Sequence, residues 1–116
     1  MATVKWAYPN GPKAPTQAQM SAKHSSCHLE VHFTDDDTPV DIVHNLQLDL
    51  EKPPEALEVP IVVVNPILGG EHASLYKLTT KDGNTLTMEK IGNGPGTNVA
   101  YDVWITRHMV PSWFGF

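Results

Sequence analysis

Charge is scarce in this sequence. Asp, Glu, Lys and Arg make up 18% of the 116 residues, against about 25% in ordinary globular domains, so Ser, Thr, Asn, Gln, Pro and Gly must supply much of the surface, or another chain must cover it. Arginine is scarcer still. Arg107 is the only one, and the net charge is −5. A protein that tracks nucleic-acid phosphates needs clustered Lys and Arg to displace counterions, so nucleic acid is excluded as an expected partner. Cys27 stands alone, which rules out an intrachain disulfide and a thiolate zinc site and leaves the role of a small buried apolar residue. Long apolar runs are also missing. The longest, Val59 to Leu68, is interrupted by Pro60, Asn65 and Pro66 and is far short of the roughly 20 residues of a membrane-spanning helix. The N-terminus has no apolar core of the kind found in a secretory signal.

Catalytic motifs are thin as well. No Gly-x-Ser-x-Gly elbow occurs, and Ser25 and Ser26 adjoin histidines only along the chain. The loop Gly92-Asn93-Gly94-Pro95-Gly96 lies between two strand patterns, so it lacks the helix N-terminus that turns a glycine loop into a phosphate cradle. The acidic run Asp35, Asp36 and Asp37 lacks the spaced oxygen ligands and the glycine of a calcium loop and reads as a solvated turn.

What is present is period-2 alternation. Cys27, Leu29, Val31 and Phe33 alternate with His28, Glu30 and His32, the signature of a strand with one wet face. A second alternating stretch puts Val40, Ile42, His44, Leu46, Leu48 and Leu50 on one side. It predicts one long strand, or two short ones joined by a bulge near His44 and Asn45. Pro53 and Pro54 mark a loop. Ile61 to Val64 is a continuous β-branched run, the pattern of a strand covered on both faces, and Asn65-Pro66 and Gly69-Gly70 read as turns. Leu75 to Lys81 and Thr85 to Ile91 flank Asp82-Gly83-Asn84, the strongest hairpin signal in the chain. Val99, Tyr101, Val103 and Ile105 form the last alternating strand, with Trp104 opposite. No segment has a clear helical period; Thr16 to Lys23 comes nearest and is too short to decide.

The expectation is therefore an all-β chain: an antiparallel β-sandwich or small barrel of about six strands over residues 24–108. It carries an extended N-terminal arm (residues 1–23, with Pro9, Pro12 and Pro15) and an aromatic C-terminal tail (residues 109–116). Trp6 and Tyr8 in the arm, and Trp113, Phe114 and Phe116 in the tail, are aromatics in segments that are normally polar. Ordering such segments costs roughly 1–2 kcal/mol per residue, and docking one large aromatic returns about 1.5–3 kcal/mol. These five residues are the candidate interface. No cofactor is expected.

Histidine supplies the remaining candidate chemistry. His24, His28 and His32 share one strand face with Glu30. With help from another strand, His28, Glu30 and His32 would make a metal centre of the kind found in small β-barrel oxygenases, although the distant histidine and glycine framing of that family are missing. A solvated histidine face is the plainer reading. His44, on the apolar side between Ile42 and Leu46, reads as a core histidine bonded to a turn. His72 and His108 have no companions. Trp104 offers a stacking platform for a carbohydrate-binding sandwich.

Three stretches, HFTDDDTPVDIVHNLQL, VPIVVVNPIL and TLTMEKIGNGPGTNVAYDVWITRHMVPS, resemble a family of small structural proteins of tailed bacteriophages. Members run a strand, an acidic turn and a Val-His-Asn-Leu element. A proline-flanked apolar strand follows, then a Gly-rich loop and a final strand. The resemblance spans about two-thirds of the chain, from Phe33 to Pro111. It implies a non-enzymatic virion protein, a capsid decoration or cement protein or a head–tail junction component, assembled in the host bacterial cytoplasm. The implied partners are copies of itself and other virion proteins such as a capsid or neck protein. The family carries no active site to transfer.

Overall fold

The structure is a computed structural model that describes residues 2–22, 26–34, 39–51, 58–69, 76–91 and 98–109. It is all-β, with two antiparallel sheets and no closed barrel. In chain order the elements are β1 (Thr3–Tyr8), α1 (Gln17–Ala22), β2 (Ser26–Phe33), β3 (Val40–Val43), β4 (Glu58–Leu68), β5 (Tyr76–Asp82), β6 (Thr85–Lys90) and β7 (Val99–Met109). One sheet has the order β1-β2-β7-β4 and the other β3-β6-β5.

Alternation dictates the core. Along β2, Cys27, Leu29, Val31 and Phe33 are buried, and along β7 Val99, Tyr101, Val103 and Ile105 are buried. They meet Ile42, Leu86 and Met88 of the second sheet, Leu46 and Leu48 of the segment after β3, and Met20 of α1. Tyr101 sits edge-on to both Phe33 and Tyr76, with ring centroids 6.1 and 5.3 Å apart, an arrangement favoured by the ring quadrupoles. Burial raises the Cys27 thiol to about 12, which keeps it protonated and chemically inert.

The segment read as an extended arm contains a strand and a helix. β1 pairs with β2, with Val4 opposite Val31 and Trp6 opposite Leu29, and Trp6 packs against the core of its own domain. The reason lies in β2, whose free edge would otherwise be unpaired and which accepts a short strand despite the prolines that follow. α1 is fixed by a capping box. Thr16 Oγ1 accepts from the Gln19 N–H at 3.2 Å, and Gln19 Oε1 accepts from the Thr16 N–H at 2.9 Å, so two orphan donors satisfy each other's residues.

The long second strand stops early. β3 ends at Val43 because Asn45 and Gln47 take left-handed φ values of 56° and 57°, which breaks the pleat while His44, Leu46 and Leu48 still turn inward. Residues 44–48 wrap around the β5–β6 turn. His44 and Asn45 donate their N–H groups to the Asn84 carbonyl at 2.9 and 3.2 Å, and Leu48 donates to the Gly83 carbonyl at 2.8 Å. Gln47 N–H donates to Asn84 Oδ1 at 3.0 Å, and Leu46 N–H to His44 Nδ1 at 3.0 Å. The hairpin falls where the sequence places it, with Asp82 Oδ1 accepting from the Asn84 N–H at 2.8 Å.

β4 departs from expectation in two ways. It runs through Asn65-Pro66 instead of turning there, and it is an edge strand, not one covered on both faces. A proline stays in a strand where its nitrogen faces away from the neighbour, so an edge position tolerates it. The chain turns only after Leu68, at Gly69 with φ 106°. The tail aromatics Trp113, Phe114 and Phe116, the acidic run Asp35 to Asp37, and His24 and His72 lie outside the described residues.

A β-carbon on Gly83 would sit 2.3 Å from the Leu48 carbonyl oxygen. Gly83→Ala is therefore expected to destabilise the domain by about 1–3 kcal/mol, read as a lower midpoint of denaturant unfolding with unchanged slope. A neutral result would mean that segment 44–48 is not seated on the turn.

Candidate protein-docking face

The outer face of the four-stranded sheet collects the residues that alternation leaves outside. The register sets them in rows. Lys5, Glu30, Asp102 and Asn65 lie in one row across the sheet, and Tyr8, His28, Trp104 and Val63 in the next. Ser26, Thr106 and Ile61 form a third row. The β1–β2 half is thus mostly polar and charged, while on the β7–β4 half the large apolar side chains Trp104, Val63 and Ile61 stand beside Asp102, Asn65 and Thr106. Ile61, Val63, Ile67, Leu68 and Trp104 are each 40–54% exposed, although Ile61 and Val63 belong to the run whose sequence calls for cover on both sides. Large apolar side chains grouped on one face, rimmed by polar ones, are characteristic of protein contact surfaces.

The histidine face does not assemble as a metal triad. His28 Nε2 bonds Asp102 Oδ1 of the neighbouring strand, while His32 Nε2 bonds Glu30 Oε1 at 2.9 Å. Each imidazole turns to a different carboxylate, so the ring nitrogens diverge. Among the described residues no group of three or more His, Cys, Asp or Glu side chains is placed to hold a metal ion. The help from another strand is real, in Asp102, but it orients His28 alone. Sequence could not identify this partner, because register is not encoded in the alternation of either strand.

Trp104 and His28 are stacked cross-strand neighbours, with ring centroids 4.0 Å apart and planes 2° from parallel. One face of the indole is therefore covered by imidazole, which leaves a carbohydrate only the side toward Val63. Of the candidate interface residues in the arm, Tyr8 is exposed at the end of β1 and Trp6 is half-buried beneath it.

On the opposite side of the core, His44 is fully buried. Its Nδ1 accepts from the Leu46 N–H, so the neutral ring carries its proton on Nε2. Burial pushes its pKa down to about 4, and the negative charge of Asp82 opposes this only in part. The expected core histidine stands there, bonded through Nδ1, while its buried Nε2 has no hydrogen-bond partner among the described residues. Arg107 reaches the same segment from β7 and donates from Nη2 to the Leu46 carbonyl. Beside this segment lies an open depression lined by Asp49, Glu51 and Asp82 with Gln17 and Gln47. Among the described residues no helix is long and apolar enough to cross a membrane.

A histidine whose folded pKa lies below its unfolded value of about 6.5 binds its proton more readily in the unfolded chain. Its contribution is complete above pH 6.5 and is lost as pH falls toward 4, by up to about 3 kcal/mol. Denaturant unfolding between pH 7 and pH 4 should show this loss. His44→Asn, which keeps an acceptor for the Leu46 N–H but does not titrate, should flatten that part of the profile. An equally steep loss in the variant would assign it to other groups.

Comparisons of this chain with protein-family models, with curated proteins and with solved structures return no match.

Proposed function

We propose that this protein is a non-enzymatic structural component of a tailed-phage particle. In this reading it binds another protein surface through the exposed apolar side chains of β4 and β7 on its four-stranded sheet. One observation carries the docking part. β4 has a sequence suited to burial on both faces, and the described residues cover only one of them, leaving Ile61 and Val63 nearly half exposed beside Trp104. Water-exposed Ile and Val on a regular strand forgo about 25 cal/mol for every Å² of apolar surface that a partner would cover. A second subunit offsets that loss. The assignment to a phage particle rests on the sequence resemblance of residues 33–111, and within it the roles of capsid decoration, cement or head–tail junction share this requirement for an adhesive sheet face.

The alternative centred on His28, Glu30 and His32 as a metal site is less well supported, because the two imidazoles are committed to separate carboxylates. A sugar platform on Trp104 has one indole face already occupied by His28.

Particles banded by density from a producing culture and analysed by quantitative mass spectrometry should contain this chain in fixed stoichiometry to the major capsid protein. Abundance in the lysate with absence from the banded particles would overturn the assignment. Trp104→Asp, at an exposed site outside the core, should deplete the chain from particles at least tenfold while leaving its melting temperature unchanged.

A further inference from the structure

Among the described residues nothing pairs with the outer edge of β4, and this edge is built unlike the other edge of its sheet. β1 carries a charged side chain, Lys5, in mid-strand, the usual protection against unwanted strand pairing. From Val59 to Leu68, β4 carries no charged side chain at all. Its protection is two prolines, Pro60 and Pro66. Backbone groups in a strand alternate in direction, so residues of equal parity face the same neighbour. Pro60 and Pro66 share parity with Val62 and Val64, and a proline nitrogen is turned away from the ladder. The open edge therefore presents the Val62 and Val64 N–H groups and carbonyls between two donor-free ends. Val63, midway between the prolines, bonds toward β7 and points its side chain outward.

This edge is symmetric about Val63, and we propose that it pairs with the same edge of a second copy. In an antiparallel, two-fold arrangement Val62 lies opposite Val64 of the partner subunit and Val64 opposite the partner's Val62. Each pair exchanges two N–H···O=C bonds. The two Val63 side chains meet on the outer face, and Pro60 and Pro66 fall where no donor is left over. Because residues 59–68 are uncharged, no like charges are brought together within the pairing window, which a two-fold contact otherwise risks. The prolines limit pairing to a short window, and the joined eight-stranded sheet ends on β1 at both sides, so the contact closes at two copies instead of growing into a fibre. A contact made by one short strand edge with Ile61, Val63 and the half-buried Val62 and Val64 is small, which makes the dimer concentration-dependent. The proposal rests on reading the β4 side of the sheet as a docking surface and names its first occupant.

Light scattering of the full chain across about 1–200 μM is expected to show a mass of twice 12.8 kDa at the upper end, falling toward the single-chain mass on dilution. Val62→Pro removes an outward N–H without touching the bonds to β7, and Val63→Lys puts a charge on the two-fold axis. Both should give the single-chain mass at every concentration, with melting temperatures close to that of the parent chain at low concentration. A parent chain that stays monomeric at 200 μM overturns the pairing, as does a dimer that survives both substitutions. A monomeric chain that is still found in purified particles would overturn the pairing alone. A dimer missing from particles would uphold the pairing and overturn the particle assignment.

Discussion

The backbone between His44 and Leu48 ties the molecule together. Five consecutive N–H groups are all used: three on the carbonyls of Gly83 and Asn84, one on the Asn84 side chain and one on His44 itself. Two residues in this segment occupy the left-handed region, which costs about 1–2 kcal/mol for a side-chain-bearing residue. The five bonds, at about 1 kcal/mol each net, offset that cost. The same two residues then reach outward. Asn45 Nδ2 donates to the Pro15 carbonyl at 2.9 Å and Gln47 Nε2 to the Gln17 carbonyl at 2.8 Å, so the distorted segment also anchors the start of α1. Arg107 brings in the other sheet through the Leu46 carbonyl.

That anchoring leaves the two ends of the four-stranded sheet unequal. At the β1 side, the N-terminal segment is pinned by Asn45, Gln47 and the buried Met20, and its strand covers β2. At the β4 side, nothing among the described residues pairs with the outer edge. The apolar surplus accumulates there, in side chains that the fold positions but does not cover. A domain of this size buries only about two-thirds of its unfolded surface, so a strand with two apolar faces is hard to satisfy without a partner.

The histidines show how much turns on neighbours. His28 and His32 share a face and are four residues apart with Glu30 between them, the spacing that suggests a shared ion. Their environments separate them, because Asp102 lies diagonally across from His28 while Glu30 turns to His32. His44, which the sequence already marks as a core histidine bonded to a turn, is the ring whose acceptor nitrogen closes the segment after β3.

Alternation by itself determined the all-β class, the inward faces of β2 and β7, and the hairpin at Gly83-Asn84, because side-chain period and turn chemistry are local properties of the chain. The buried state of Cys27 and the core place of His44 were legible for the same reason. Strand order, register and edges were not, since these depend on which distant segment supplies hydrogen bonds. Only the tertiary structure could show that Thr3–Tyr8 forms a strand on β2, that Asn65-Pro66 lies within an edge strand, and that His28 pairs with Asp102. The same limit explains β4: its composition suits two covered faces, and only the packed sheet shows that the described residues provide one.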